Sequence, residues 1–299
     1  MSNLHPITIS SWTLGDQCSF EERVQAAKKA GYEGIGLRAE TYADALNEGL
    51  TDSDILAILE KYDMKVTEVE YIVQWAEEHR SYEQKYKEQI CFHMCQLFGV
   101  RHINCGLMEN YPVEQTAQKL KELCQRAGEY MIGVEPMPYS GIPDLKKAYQ
   151  VVMASGCENA MIILDSWHWV RADQPYDILT KEIAKKVVSI QINDAYERPY
   201  AAPVLRDESM HDRLAPGTGA KDTAGFVRMV REAGVCQCAE SSIAGSFGCF
   251  FCPKEWRKAW PRYRSIYCET KPVKGSNCKK KKSACAEAYL CNGYAEQWC

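Results

Sequence analysis

The chain has 299 residues, 46% of them apolar and 25% charged. This is ordinary globular composition and excludes a disordered polymer, a coiled coil and a collagen-like rod. With 36 Lys and Arg against 40 Asp and Glu, the net charge is −4. That gives no electrostatic basis for a nucleic-acid or anionic-membrane partner. No window approaches the run of about 18 apolar residues that a membrane span requires. The opening Met-Ser-Asn-Leu-His-Pro-Ile-Thr has neither a cationic nor an apolar leader region, so a cytoplasmic location is expected.

In chain order, residues 7–12 read as a strand, and 19–30 as a helix with Phe20, Val24, Ala27 and Ala30 on one side and Gly31 as its stop. Residues 33–38 form a second short strand, and Thr51 to Asp54 offer N-cap chemistry for a helix to about residue 62. A third strand covers 65–71, a long helix 81–98, a fourth strand 101–105 and a helix 113–128. Strand five is 131–135, followed by a helix from Pro143 to Ser155, strand six at 161–165, a helical stretch at 175–185 and strand seven at 187–193. A long loop, 195–221, precedes a helix over 223–233, and Val235 to Glu240 reads as strand eight. Apolar strands alternating with helices in units of about 30 residues predict an α/β protein with a parallel sheet buried on both faces. Eight such units match a (β/α)8 TIM barrel, a fold of about 250 residues. A doubly wound sheet is the competing architecture, but no G-x-G-x-x-G turn follows strand one, and neither a P-loop nor a G-x-S-x-G elbow is present.

The composition changes abruptly near residue 236. Nine of the fifteen cysteines lie beyond it, with 11 Lys and Arg against 5 Asp and Glu and a run of four lysines from Lys279 to Lys282. The expected division is a barrel over 1–241, with an incomplete or aberrant eighth unit, and a Cys-rich basic tail over 242–299. The tail admits four readings: a disordered basic segment, a Cys-rich metal or disulfide module, a divergent closing segment, or an out-of-frame read. Cys249 and Cys252 have the spacing of half a zinc knuckle, but Cys278, Cys285 and Cys291 do not supply the other half. The earlier cysteines (Cys18, Cys91, Cys95, Cys105, Cys124, Cys157) sit in strand and helix segments and are expected to act as small apolar residues.

In a barrel, chemistry gathers where the strands end. The ends here are Glu135, Asp165, the Gln191/Asn193/Asp194 group and Glu240. A lone strand-end carboxylate is most often a salt bridge or a helix cap. Several at successive strand ends repel one another unless a cation lies between them. Carboxylate oxygens with a Gln carbonyl or an imidazole suit Mg²⁺, Mn²⁺ or a similar divalent ion. Asp165-Ser-Trp-His168-Trp-Val-Arg171 puts a ligand, an imidazole and a cation on one loop, and Arg213, before Leu-Ala-Pro-Gly217-Thr-Gly219, can reach into the pocket. His5, His79, His93 and His102 read as surface or packing residues.

Together, Gly31-Tyr-Glu-Gly-Ile-Gly-Leu, Gly-Val-Glu135-Pro, the Asp165–His168–Arg171 spacing, Ile190-Gln-Ile-Asn-Asp-Ala and Arg213-Leu-Ala-Pro-Gly-Thr-Gly resemble the sugar phosphate isomerase/epimerase family of xylose isomerase-like TIM barrels over residues 7–240. That resemblance implies one divalent metal held by Glu135, Asp165, Gln191 and Glu240. It implies Glu135 and Glu240 as acid and base, and His168, Arg171 and Arg213 as substrate-binding residues. Gln191 stands where many members have His. The implied activity is isomerisation or epimerisation of a sugar, sugar phosphate or polyol ketone through a cis-enediolate. The alternatives are an inosose-type dehydratase or an inactive barrel that binds a ligand. A DNA-repair endonuclease on the same barrel is disfavoured by the acidic 1–235 region. The implied partner is a small sugar or polyol; oligomeric state stays open.

Overall fold

The computed structural model describes residues 7–15 and 18–235, with the backbone of 247–249. Strand β1 (Ile7–Ser10) runs into a 3-10 turn, and α1 (Phe20–Lys29) follows with a Ser19/Glu22 capping box. Then come β2 (Gly34–Arg38), α2 (Ala39–Asn47), α3 (Asp52–Lys61), β3 (Lys65–Ile72), α4 (Tyr82–Phe98), β4 (His102–Cys105) and α5 (Val113–Ala127). The second half holds β5 (Met131–Val134), α6 (Leu145–Ser155), β6 (Ala160–Asp165), α7 (Ser166–Arg171), α8 (Lys181–Ala184), β7 (Val187–Ile192), α9 (Leu205–His211), α10 (Thr223–Glu232) and β8 (Phe247–Cys249). The strands pair in parallel in sequence order, and β8 closes the ring by pairing with both β7 and β1. This is the TIM-barrel fold. Among the described residues, no helix is long and apolar enough to cross a membrane.

Most elements sit where the hydrophobic pattern puts them, and five differ. Helix α2 directly follows β2, and α7 directly follows β6. The expected helix over 175–185 is a 3-10 turn and the short α8, and α9 occupies the loop after β7. The eighth strand is Phe247–Cys249 rather than 235–240, of which residues 236–240 lie outside the described residues. It falls in the segment the composition change sets apart, and nothing is described of the would-be zinc knuckle beyond the backbone of Cys249.

The main core lies between the sheet and the helices. Val24 and Ala27 of α1, Ile55 of α3, Met94 and Cys95 of α4, Leu120 and Leu123 of α5 and Val151 of α6 are all buried there. Cys91, Cys95, Cys105 and Cys124 are free and buried, as expected of small apolar residues. Burial pushes the Cys91 and Cys124 thiols up to about 12, so neither offers a thiolate near neutrality.

The inside of the barrel is filled in layers. Met161, Ile163 and Val188 form a separate apolar plug. Gly133 makes room for it, because a Cβ there would come within 2.5 Å of Ile163 Cδ1. Asp165 is two residues beyond Ile163 on the same face of β6, and its register partner on β7 is Gln191, as Ser189 is that of Ile163. The plug therefore lies below and the polar residues above, toward the C-terminal mouth.

Gly34 sits where two strands come together under a shared hydrogen bond, Thr8 Oγ1 to Thr67 Oγ1 at 2.7 Å. A Cβ at Gly34 would lie 2.6 Å from Thr67 Cγ2 and 2.9 Å from Thr8 Oγ1. Gly34→Ala is expected to cost about 1–3 kcal/mol by overpacking. Thermal melting followed by circular dichroism should show the loss, at about 2–4 °C per kcal/mol for a domain of this size.

Candidate metal centre and active site

Asp165 ends β6 and serves as the N-cap of α7. Its Oδ1 accepts from the backbone N–H groups of Trp167 (2.7 Å) and His168 (3.1 Å). Those bonds fix the carboxylate and leave Oδ2 turned into the mouth, where Asn193 Nδ2 (3.0 Å) and Arg213 Nη1 (2.6 Å) donate to it. The same turn of helix points His168 inward, with its ring against Trp167 and Tyr139, the centroids 5.2 and 5.7 Å away. Glu135 follows β5 directly, and its Oε1 lies 3.2 Å from His168 Nε2. Glu135, Asp165 and His168 are 6%, 2% and 2% exposed, and each offers a ligand atom within 4.8 Å of the others.

Gln191 completes the group. Its amide nitrogen donates to Asp165 Oδ2 (3.2 Å) and Glu135 Oε1 (3.3 Å), and its oxygen accepts from Asn104 Nδ2 at 3.1 Å. Arg213 Nη2 lies 3.1 Å from His168 Nε2 and can only donate. An Nε2 that accepts from Arg213 has no proton for Glu135. Glu135 Oε1, Asp165 Oδ2 and His168 Nε2 thus turn lone pairs toward one spot, each held there by a neighbouring N–H, and carboxylate oxygens with an imidazole nitrogen are a ligand set that a divalent cation fits.

Arg213 is aimed by the loop that carries it. Asp194 pairs with Leu214 through two backbone hydrogen bonds of 2.8 and 2.9 Å. Its carboxylate takes the N–H groups of Gly217 (3.0 Å) and Lys221 (3.1 Å). Asp194 thus builds the loop and stands apart from the acidic cluster. Gly219 is needed there because a Cβ would strike Asp194 Oδ1 at 2.4 Å. Burial disfavours the Arg213 charge, but the charges of Asp165 and Glu135 beside it leave its pKa raised on balance.

Of the residues singled out from sequence, Glu135, Asp165, His168, Gln191 and Arg213 meet at one mouth. Arg171 does not join them. It is spent on the fully buried Glu208 through Nε (2.9 Å) and Nη2, and on the Tyr196 carbonyl (3.0 Å). Glu240 lies outside the described residues.

The sequence reading passed over Glu68 and Glu70. Both lie on β3 and face the barrel interior, 0% and 2% exposed. Glu68 Oε1 accepts from Asn104 (2.7 Å) and Ser189 (2.9 Å), and His102 Nε2 lies 3.7 Å away. Burial would push the Glu68 pKa up, but His102 and these donors outweigh it and hold the carboxyl below its usual range. Glu70 goes the other way. Burial, then the charge of Glu68, raise it well above the carboxylate range, with Arg38 the opposing influence. Two acidic residues spaced i, i+2 in a strand buried on both faces were the available signal, because such a pattern puts both side chains in the lumen.

A family model, the xylose isomerase-like TIM barrel, matches residues 24–241. The chain belongs to this family. An inosose isomerase from Bacillus velezensis is 23% identical over 242 residues, covering 74% of this chain and 82% of the relative. Among solved structures, the IolI protein with a bound zinc atom has a TM-score of 0.70 at 18% identity, covering 89% of this chain and 97% of that one. The probable 3-DHS dehydratase AsbF from Bacillus anthracis has a TM-score of 0.69 at 12% identity, covering 86% and 98%. At these identities the structures establish the fold shared by enzymes of more than one reaction class.

The Glu70 carboxyl has a pH consequence. Its folded pKa lies above its ordinary value, so its contribution to stability is full below the ordinary carboxyl range and is lost as pH rises through the folded pKa. Glu70→Gln, which cannot ionise, should melt on the order of a few degrees above the wild type at pH 8. The two melting curves should converge near pH 4. A gap independent of pH would contradict this assignment.

Proposed function

We propose that this barrel is a divalent-metal-dependent isomerase or epimerase acting on a sugar, sugar phosphate or related polyol ketone. The observation that carries the reading is the convergence of Glu135, Asp165 and His168 ligand atoms within 4.8 Å at the C-terminal mouth. The inosose isomerase relative, and the zinc atom bound in the IolI structure, support it. Glu135 Oε1, Asp165 Oδ2 and His168 Nε2 would hold the cation, with Glu240 as a further ligand from outside the described residues. When bound, the cation supplies Lewis-acid polarisation of neighbouring substrate oxygens and offsets the charge of an enediolate.

Chemistry by the chain's own groups follows from their placement. Glu135 is positioned to remove the proton α to the substrate carbonyl; Glu240, outside the described residues, is the residue that the family resemblance assigns to return one on the opposite face or at the adjacent carbon. Arg213, held against Asp165 and His168, presents N–H donors to substrate hydroxyl or phosphate oxygens. Arg171 braces the wall behind Trp167, its guanidinium carbon 5.5 Å from the ring centroid, so it orders the substrate-binding loop from the side rather than touching substrate. Burial of the site keeps water from competing for these contacts.

The neighbouring dehydratase fold marks the alternative outcome, since loss of water after the same proton abstraction needs the same groups. Incubation with a panel of inososes and ketoses in D₂O separates the two. Deuterium at the α-carbon of an intact product is the expected result, and loss of water assigns a lyase instead. Glu135→Gln should lower the exchange rate by about 10²–10⁴-fold, the usual contribution of a general base. Turnover that survives this substitution would remove Glu135 from the mechanism. A wild-type chain that binds no Mn²⁺ or Zn²⁺ and exchanges no proton would point to a ligand-binding barrel.

A further inference from the structure

Arg38 is the last residue of β2, and its place follows from the residue two before it. Gly36 faces the lumen, because a Cβ there would lie 3.4 Å from Glu70 Oε1 and 3.5 Å from Glu68 Oε2. Alternation along the strand puts Arg38 on the same face, one step nearer the C-terminal mouth, and its register partner on β3 is Glu70. The side chain is 20% exposed. Two rings hold its guanidinium, whose central carbon lies 4.7 Å from the ring centroid of Trp12 and 6.0 Å from that of Tyr71. Trp12 belongs to the 3-10 turn after β1, where Ser11 and Thr13 are buried while the indole is 42% exposed. Tyr71 leads toward the metal centre. Its hydroxyl donates to Met137 Sδ at 3.7 Å, and burial, then the charge of Glu135, raise its pKa well above the usual range. A Cβ at Gly106 would strike that hydroxyl, so the ring sits in the gap the glycine leaves.

The rings hold this plane without neutralising it. Arg38 Nε has no hydrogen-bond partner among the described residues, and the carboxylate paired with it, Glu40 Oε2, is 3.6 Å away, beyond hydrogen-bond distance. Glu40 is itself engaged by Lys87. The arginines of the later strands are committed, Arg213 to Asp165 at 2.6 Å and Arg171 to Glu208. Arg38 thus keeps N–H groups and charge for a ligand.

We infer that Arg38, backed by Trp12, is a subsite for an oxyanion of the substrate, a phosphate or a carboxylate carried away from the reacting carbonyl. The inference rests on the proposed isomerase reading and narrows it: of sugars, sugar phosphates and polyol ketones, it selects the anionic ones. A guanidinium fork meets two oxygens of such a group at once, and one already held between rings loses less freedom when the ligand arrives. Tyr71, which reaches from Arg38 toward Glu135, keeps the anion apart from the reacting carbon.

The test is equilibrium binding to the full chain in the presence of Mg²⁺, with a panel of pentuloses and hexuloses, each compared with its terminal phosphate ester and its terminal carboxylate. The two anionic arms tell phosphate from carboxylate. At least one anionic member should bind about tenfold or more tightly than its neutral parent, the usual gain from charge-assisted hydrogen bonds, and Arg38→Gln should cut that ratio to less than about twofold. A panel in which no anionic member is preferred overturns the inference, and so does a preference that survives Arg38→Gln undiminished. A second measurement needs no variant at position 38. The emission of Trp12, taken as the difference between the wild type and Trp12→Phe, should change when the preferred anion saturates the protein. Emission that stays constant at saturation overturns the subsite. Proton exchange in D₂O keeps the two readings apart. Arg38-dependent binding of an anionic sugar without exchange supports the subsite and removes the isomerase reading, whereas exchange on neutral sugars with no anionic preference overturns the subsite alone.

Discussion

Two carboxylates and an imidazole crowded into a buried space set the terms for this barrel's mouth. Glu135 Oε1, Asp165 Oδ2 and His168 Nε2 share one spot, and none of these residues is more than 6% exposed. Parallel strands make such crowding unavoidable, since every strand ends at the same rim and every strand-end carboxylate points to the same axis. The chain meets the repulsion in two ways. It brings Arg213 in against Asp165, a charge-assisted bond of 2.6 Å, and it turns the amide nitrogen of Gln191 to both carboxylates. Much of the surrounding architecture follows from the first measure. The Asp194–Leu214 bridge, the Gly217 and Lys221 amides bound to Asp194, and Gly219's lack of a Cβ all tie the end of the strand-seven loop to its start, and so fix Arg213.

The architecture was largely legible because apolar runs separated by helical stretches leave few alternatives to a parallel barrel. Glu135, Asp165, Gln191 and Arg213 were legible for the same reason: each directly follows, ends or closes an apolar strand or its loop. What escaped is equally physical. Helices α2 and α7 begin on the residue after a strand, where the strand's own last residue, Arg38 or Asp165, takes the cap position, so no separate turn announces them. Helix α9 lies in a segment without an apolar stripe long enough to read. Arg171 has the spacing of a site residue, but Glu208, hidden in that unread helix, claims it. The eighth strand is three residues long and carries no period, so the apolar start at Val235 drew the prediction upstream.

Glu68 and Glu70 show why burial alone does not set the behaviour of a carboxyl. They are neighbours on one face of one strand, yet His102 and the donors on Glu68 Oε1 hold its pKa below the usual carboxylate range, while burial and the charge of Glu68 push that of Glu70 well above it. After burial, Glu68 is the largest influence that raises Glu70. This is how two like groups share a low-dielectric interior: environment divides them into one charged and one neutral member.

That division also bears on how much charge the lumen can carry. Among the described residues, Glu68, Glu135 and Asp165 share the lumen and its mouth with Arg213, a concentration of acidic groups that suits the divalent cation proposed for this site. A neutral Gln at position 191 fits this crowding, because it adds no charge to the two carboxylates and its amide nitrogen donates to both of them. An amide's two ends are nearly alike in size and opposite in polarity, so a neighbour must decide which end meets the carboxylates. Asn104 does so, since its Nδ2 donates to the Gln191 oxygen and leaves the nitrogen for Asp165 and Glu135.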